Sequence, residues 1–129
     1  MGVADYDGLL GWITDPSLRS IAASYYEEFH LALDARAWVS SCVLAGAVLE
    51  AILLNQLPHQ PGKPTLGELI SSADGLSILS GHETQLASEL AACRNKLHPG
   101  NAAETGAPER STAMRAAVLL EGMVDRFGR

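Results

Sequence analysis

The chain has 129 residues, of which 47% are hydrophobic, and this is enough apolar material for one packed domain. Only 5% of the residues are aromatic while alanine and leucine are abundant, so the composition favours an all-α fold over a β-sandwich. The formal net charge of −6 excludes a general attraction to nucleic-acid backbones or anionic membranes, so any such contact requires a local basic patch.

Neither the cysteines nor the first residues indicate secretion. Cys42 and Cys93 lack Cys-x-x-Cys spacing, and two cysteines are too few for a disulfide scaffold, so we expect reduced core residues. The first ten residues contain Asp5 and Asp7 and lack the basic and apolar segments of a secretory signal. We therefore expect a cytoplasmic protein.

The first predicted helix begins at Asp15-Pro16 and ends at about Leu31. Aspartate is a good N-cap, and proline suits the first helical position. A short break is expected around Asp34, because an unbroken helix to Leu57 would be too long for so small a domain. Apolar residues at helical spacing form one stripe, which consists of Leu18, Ile21, Tyr25, Phe29 and Ala32.

The second predicted helix ends at about Leu57, before a loop rich in proline and glycine. Residues 37–54 are almost uniformly apolar over eighteen positions, which is long enough for a candidate membrane span. Glu50 and two serines disfavour a span, because a carboxylate at its centre costs about 2.5–3.5 kcal/mol. We expect a central buried helix and no membrane contact.

Three further helices are predicted in the second half of the chain. Thr65 and Glu68 have the spacing of a capping box and begin a short helix that ends at Gly75. Ser80 and Glu83 repeat that spacing, and the apolar face of the helix after them contains Leu86, Leu90, Cys93 and Leu97. Pro108 can open a last helix with a seam of Ala113, Ala117, Leu120, Val124 and Phe127. These patterns predict four longer helices and one short helix in a single domain spanning residues 1–129.

The segment Cys93-Arg94-Asn95-Lys96-Leu97-His98-Pro99-Gly100 is the most suggestive of chemistry. A residue before proline is disfavoured in the α region, so the helix should end near Leu97 and leave His98 on the exit turn. Arg94 and His98 share one helix face, whereas Asn95 joins them only if the last turn is distorted. Such residues also satisfy the last carbonyl groups and the dipole of a helix, so a purely structural role stays open.

Glu50 is the second candidate, because it is the one ionisable side chain in residues 37–54. A buried carboxylate must be paired, hydrogen-bonded or protonated, and the functional interpretation pairs it with Arg94. The alternative places Glu50 on the one solvent-facing edge of its helix. No metal-ligand spacing, phosphate-binding glycine loop or nucleophile elbow is present, so neither a metal nor another cofactor is expected.

Several segments match a known pattern when they are taken in order along residues 16–127. They are Ala35-Arg36-Ala37-Trp38, the stretch from Leu44 to Glu50, the stretch from Leu66 to Ile70, Arg94-Asn95 and His98-Pro99-Gly100. Together they resemble a bacterial branch of the HEPN superfamily. The resemblance implies an antiparallel helical bundle, usually a homodimer. It also implies either a metal-independent endoribonuclease of a toxin or phage-defence system, or a non-catalytic partner.

The family signature is an Arg, often followed by a polar residue, then four to six residues and a His. Arg94, Asn95 and His98 match these residue types, and three residues separate Arg94 from His98, one fewer than the shortest usual spacing. If the protein is an enzyme that acts on RNA, the resemblance implies that His98 is the general acid or base. It also implies that Arg94 stabilises the charge of the phosphate and that Asn95 positions the phosphate. A nucleotidyltransferase-like antitoxin would then be a candidate partner. The alternative is a dimerising regulatory module in which the same three residues, with Glu50, hold the helix end in place.

Overall fold

The computed structural model describes residues 5–59, 61–95 and 108–129, apart from the side chains of residues 94 and 95. Within these ranges the chain is helical and has no β-strand, which confirms the predicted all-α class. The helices are α1 (Tyr6–Leu9), α2 (Pro16–Asp34), α3 (Trp38–Gln56), α4 (Leu66–Gly75), α5 (Gly81–Asn95) and α6 (Arg110–Phe127). All of them except α1 correspond to predicted helices.

Side-chain caps explain why three helices begin where the sequence predicted. The carboxylate of Asp15 accepts hydrogen bonds from two backbone N–H groups in the first turn of α2. Thr65 and Glu68 each accept a hydrogen bond from the other's backbone N–H in a complete capping box. Ser80 and Glu83 make the same exchange at the start of α5. Each cap satisfies N–H groups that the first turn of a helix leaves unpaired.

Two helix starts differ from the prediction. The single turn of α1 was not predicted, because four residues leave no apolar period to detect. It begins after Asp5, whose carboxylate accepts a hydrogen bond from the N–H of Gly8. The last helix begins at Arg110 with Glu109 as its N-cap, whereas Pro108 lies buried just before it instead of opening it.

The break predicted around Asp34 is a three-residue connection between α2 and α3. The N–H of Ala37 donates to the carbonyl of Ala32, and the N–H of Arg36 donates to that of Leu33, which together form a Schellman motif. Arg36 occupies the left-handed position of this motif, with φ of 59°. Because the connection is short and the two helices pack closely, α2 and α3 form a helical hairpin.

The central helix is α3, as its sequence predicted. It packs against α2, α4, α5 and α6, and nine of its nineteen residues are buried. By length and composition, α3 is the one helix in the described part of the chain that could cross a membrane, but half of that window is buried inside the fold. The buried core helix of a globular protein can be as long and as apolar as a membrane-spanning helix, so these properties alone do not indicate a span.

The apolar stripe predicted on α2 is only partly correct. Ile21 and Tyr25 are 50% and 39% exposed, and Leu18 is only half-buried. The buried residues of α2 are Ala22, Ala23, Tyr26, Phe29 and Ala32. Two apolar sets with helical spacing overlap on α2, and contacts with α1 and α3, rather than spacing, decide which one is buried.

The apolar seams predicted on α5 and α6 are confirmed where the structure describes them. The buried members are Leu86, Leu90, Cys93, Ala113, Ala117, Leu120 and Val124. Phe127 is half-buried against the core, and Leu97 lies outside the described residues. Cys42 is also buried, and neither cysteine forms a disulfide, so both are core residues as expected.

Candidate functional site

The predicted site residues Arg94, Asn95 and His98 belong to the end of α5 and the segment that follows it. Because α5 runs to Asn95, the backbone of Arg94 and Asn95 is helical. The side chains of these two residues lie outside the description, as does the whole of His98. The convergence of the three side chains, and the helix end near Leu97, therefore stay predictions.

Two ion pairs establish how α5 lies against α6. Arg115 pairs with Glu89 at 2.7 Å, and Arg126 pairs with Glu83 at 3.0 Å. Increasing residue numbers on α6 are thus matched by decreasing numbers on α5, so the two helices run in opposite directions. This register places the last turn of α5 beside the first turn of α6.

A cavity of about 340 Å³ opens at the start of α6. Its walls come from the end of α2, the α2–α3 connection and the first turns of α3 and α6. The lining residues are Leu33, Asp34, Arg36, Trp38, Arg110 and Met114. Because α6 starts both beside this cavity and beside the last turn of α5, the two features lie at the same end of the protein.

This cavity differs in charge from two other cavities that the described residues form. Arg36 and Arg110 border it, whereas Asp5, Asp7 and Glu27 border one of the others, and Glu121 and Asp125, with Arg129, border the other. Neither the Arg36 nor the Arg110 guanidinium forms an ion pair or a hydrogen bond with another described side chain. In a protein with a net charge of −6, the cavity is therefore a local basic site.

Two helix N-termini lie at the cavity, and that of α3 adds to its positive character. The N-cap residues of α3 and α6 are Ala37 and Glu109, and neither makes a side-chain hydrogen bond to the N–H groups of the first turn. Uncapped N–H groups and the positive end of the helix dipole both attract anions. The arrangement therefore suits an anionic group better than a cation.

Glu50 lies on a different part of α3, and its side chain is partly buried. Glu50 lies on the same face of α3 as Val39, Val43 and Leu54, which are 46%, 42% and 40% exposed. Twelve positions separate Glu50 from Trp38 at the cavity, which is about 18 Å along a helix. These observations support the solvent-facing edge as the place of Glu50, and they give no support to its pairing with Arg94.

A second cluster of titratable groups joins α1 to α2. The Tyr6 hydroxyl lies 3.1 Å from Nδ1 of His30, and the His30 ring packs against the rings of Tyr26 and Phe29. Burial raises the pKa of Tyr26 to about 12, with a smaller contribution from Glu121. Burial also raises the pKa of Tyr6. Both phenols therefore stay protonated at neutral pH and do not act as bases.

The residues of the basic cavity are far apart in the sequence, and no local pattern points to them. Arg36 and Trp38 flank a helix break, whereas Arg110 opens another helix more than seventy positions later. The one feature of the sequence that could have indicated this cavity is a pair of arginines, each next to a helix boundary. A single arginine in such a place is usually a solvated surface residue, so only the fold reveals the pair.

Comparison with protein-family models, curated proteins and solved structures finds no match to this chain. The HEPN resemblance therefore rests on the sequence segments alone. Across residues 5–59, 61–95 and 108–129, no group of three or more His, Cys, Asp or Glu side chains is arranged to hold a metal ion.

Proposed function

We propose that the chain forms a HEPN-like antiparallel bundle of four longer helices and one short helix, with α1 as a small addition. The α2–α3 hairpin and the opposite directions of α5 and α6 support this arrangement. The position of α3 among four neighbouring helices also suits a bundle with a central apolar helix. In this proposal the protein is cytoplasmic and α3 is its core helix.

We further propose that the protein is a metal-independent endoribonuclease of a toxin or phage-defence system. The observation that carries this proposal is the basic cavity, which lies at the same end of the protein as the end of α5, the helix that carries Arg94 and Asn95. RNA is a polyanion, so a protein with a net charge of −6 needs such a local basic surface to bind it.

In this proposed function, each residue of the motif has its own role in phosphodiester cleavage. His98 moves a proton at the 2′-hydroxyl or at the leaving oxygen, and Arg94 stabilises the charge that develops on the phosphate. Asn95 positions the phosphate. The basic cavity holds the substrate next to these groups, and a nucleotidyltransferase-like protein is the candidate antitoxin partner.

Cleavage of defined RNAs in EDTA tests the proposal. We expect wild-type protein to cleave, and we expect His98→Ala and Arg94→Ala each to be at least about 10²-fold slower, since losing a general acid or base typically costs 10²- to 10⁴-fold. Arg129→Ala is the matched arginine control, because its exposed pair with Asp125 lies at the last residues of the chain. A wild-type protein that cleaves no RNA, or a fully active His98→Ala variant, would reject the nuclease.

The second candidate is a non-catalytic dimerising or regulatory module. The short spacing between Arg94 and His98 favours it, as does a concentration of exposed apolar side chains on one hairpin. Of the ten large hydrophobic side chains that are exposed in the described part of the chain, six lie on α2 and α3: Ile21, Tyr25, Leu31, Val39, Val43 and Leu54. An exposed apolar surface of this kind marks an interaction site, and a homodimer is our proposal for both functions.

A further inference from the structure

The basic cavity has the size and chemistry of a site for one nucleotide. We propose that it binds a single nucleotide of the RNA substrate, with the phosphate held by Arg36 and Arg110 and the base packed against Trp38. This assignment rests on the proposed function, since it gives the RNA a binding subsite outside the Arg94–His98 motif.

The dimensions and walls of the cavity favour a small ligand with a flat apolar part. Its volume of about 340 Å³ is at the lower end of the range of about 300–1,000 Å³ that small-ligand sites occupy. Trp38 is half-buried at the start of α3, and Leu33 and Met114 complete an apolar wall. Aromatic side chains in such positions stack on bases without regard to their identity.

The charges favour a phosphate group. A guanidinium presents a planar set of donors that matches the oxygen atoms of a phosphate, and two such groups border this cavity. Asp34 is the one carboxylate among the lining residues, so the lining side chains carry a net positive charge. The N-terminus of α3, whose N-cap residue Ala37 has no charge, adds further attraction for an anion.

The backbone at Arg36 provides a test that does not depend on a destabilising substitution. Arg36 has φ of 59° at a position where glycine is the usual residue, so Arg36→Gly removes the guanidinium and relieves backbone strain. Ser77 occupies the equivalent position after α4, with φ of 58° and the same pair of backbone hydrogen bonds. Ser77→Gly therefore makes the same backbone change away from the cavity and is the matched control.

Calorimetric titration with adenosine 5′-monophosphate, inorganic phosphate and adenosine tests the assignment. Wild-type protein and Ser77→Gly should bind the nucleotide equally well, and both should bind it more tightly than phosphate or adenosine alone. Arg36→Gly and Arg110→Gln should each lose about tenfold or more in affinity for the nucleotide, the loss expected for one charged hydrogen bond. Trp38→Leu should weaken binding of the nucleotide and leave binding of phosphate unchanged.

Three results would overturn the assignment: no binding of the nucleotide by the wild type, equal affinity in wild type and Arg36→Gly, or nucleotide binding no tighter than phosphate binding. Arg36-dependent nucleotide binding in a protein that cleaves no RNA would support the nucleotide site and reject the nuclease. Failure of the cavity assignment and failure of the proposed function are thus separate outcomes.

Discussion

Tyr26 is buried where α1 and α6 meet α2, and its ring packs edge-on against Tyr6 and at a tilt against His30. Burial, and to a smaller extent Glu121, raise its pKa to about 12 from the usual 10.0. The folded protein therefore holds the phenol proton more tightly than the unfolded chain does. By linkage, the stability that neutral Tyr26 contributes is complete below pH 10 and is lost as the pH rises through about 12.

Tyr26→Phe should remove this alkaline dependence. We expect the free energy of unfolding of the wild type to fall more steeply between pH 10 and 12 than that of the variant, since phenylalanine has no proton to lose. Denaturant unfolding at several pH values in that interval measures the difference. Tyr25→Phe is the control, because Tyr25 neighbours Tyr26 on the same helix and is 39% exposed. Parallel curves for wild type and Tyr26→Phe would show that the buried phenol has no such role.

Helix boundaries could be predicted where residues next to the boundary make the cap and a helical period of apolar residues follows it. Asp15, Thr65 and Ser80 each act within three residues of themselves, so the sequence contains the whole interaction. The single turn of α1 could not be predicted in this way. Its tie to α2, between Tyr6 and His30, spans 24 residues, and such a contact leaves no local pattern.

The same distinction applies to the candidate site. The sequence alone indicated the motif from Arg94 to His98, because its polar residues are neighbours in the sequence. It also indicated Glu50, because the helix of Glu50 is otherwise apolar. The basic cavity was missed because Arg36 and Arg110 meet only through the packing of α6 on α3. The charges of the two arginines were visible in the sequence, but the cavity and its position at the same end of the protein as the end of α5 are properties of the fold.

The capping box of α4 gives a prediction for one helix. Thr65→Ala removes the hydroxyl that accepts the N–H of Glu68, and the loss of such a cap costs about 1 kcal/mol of stability. Hydrogen bonds to the backbone and side chain of Thr65 lower the pKa of Glu68. The stability that the ionised Glu68 carboxylate contributes is therefore present above the usual carboxyl pKa and is lost as the pH falls through the lowered pKa.

Denaturant unfolding at neutral and acidic pH measures both effects. Thr65→Ala should be less stable than the wild type at neutral pH, and the difference should shrink as Glu68 becomes protonated. Thr112→Ala is the control, because it removes the same atoms inside α6, where the hydroxyl has no hydrogen bond to another described residue. An equal loss of stability at Thr112 would show that the cap is not the cause.

Basic and acidic groups lie in different places on the protein. Arg36 and Arg110 mark a basic cavity at one end, and carboxylates border two other cavities that the described residues form. Exposed apolar side chains concentrate on the hairpin of α2 and α3. The end of α2, the α2–α3 connection and the start of α3 also line the basic cavity, so a second copy that docks through this hairpin would lie next to the cavity.

The homodimer gives the last prediction. We expect light scattering to report about twice the chain mass of 13.6 kDa at micromolar concentration. Val43→Glu should produce monomers, because it places a new carboxylate in the exposed apolar surface of α3, where docking would bury it. Val118→Glu should leave the dimer intact, since Val118 is 61% exposed on α6, outside the hairpin. A wild-type mass of 13.6 kDa across a dilution series would contradict the dimer, and loss of the dimer in Val118→Glu alone would move the interface to α6.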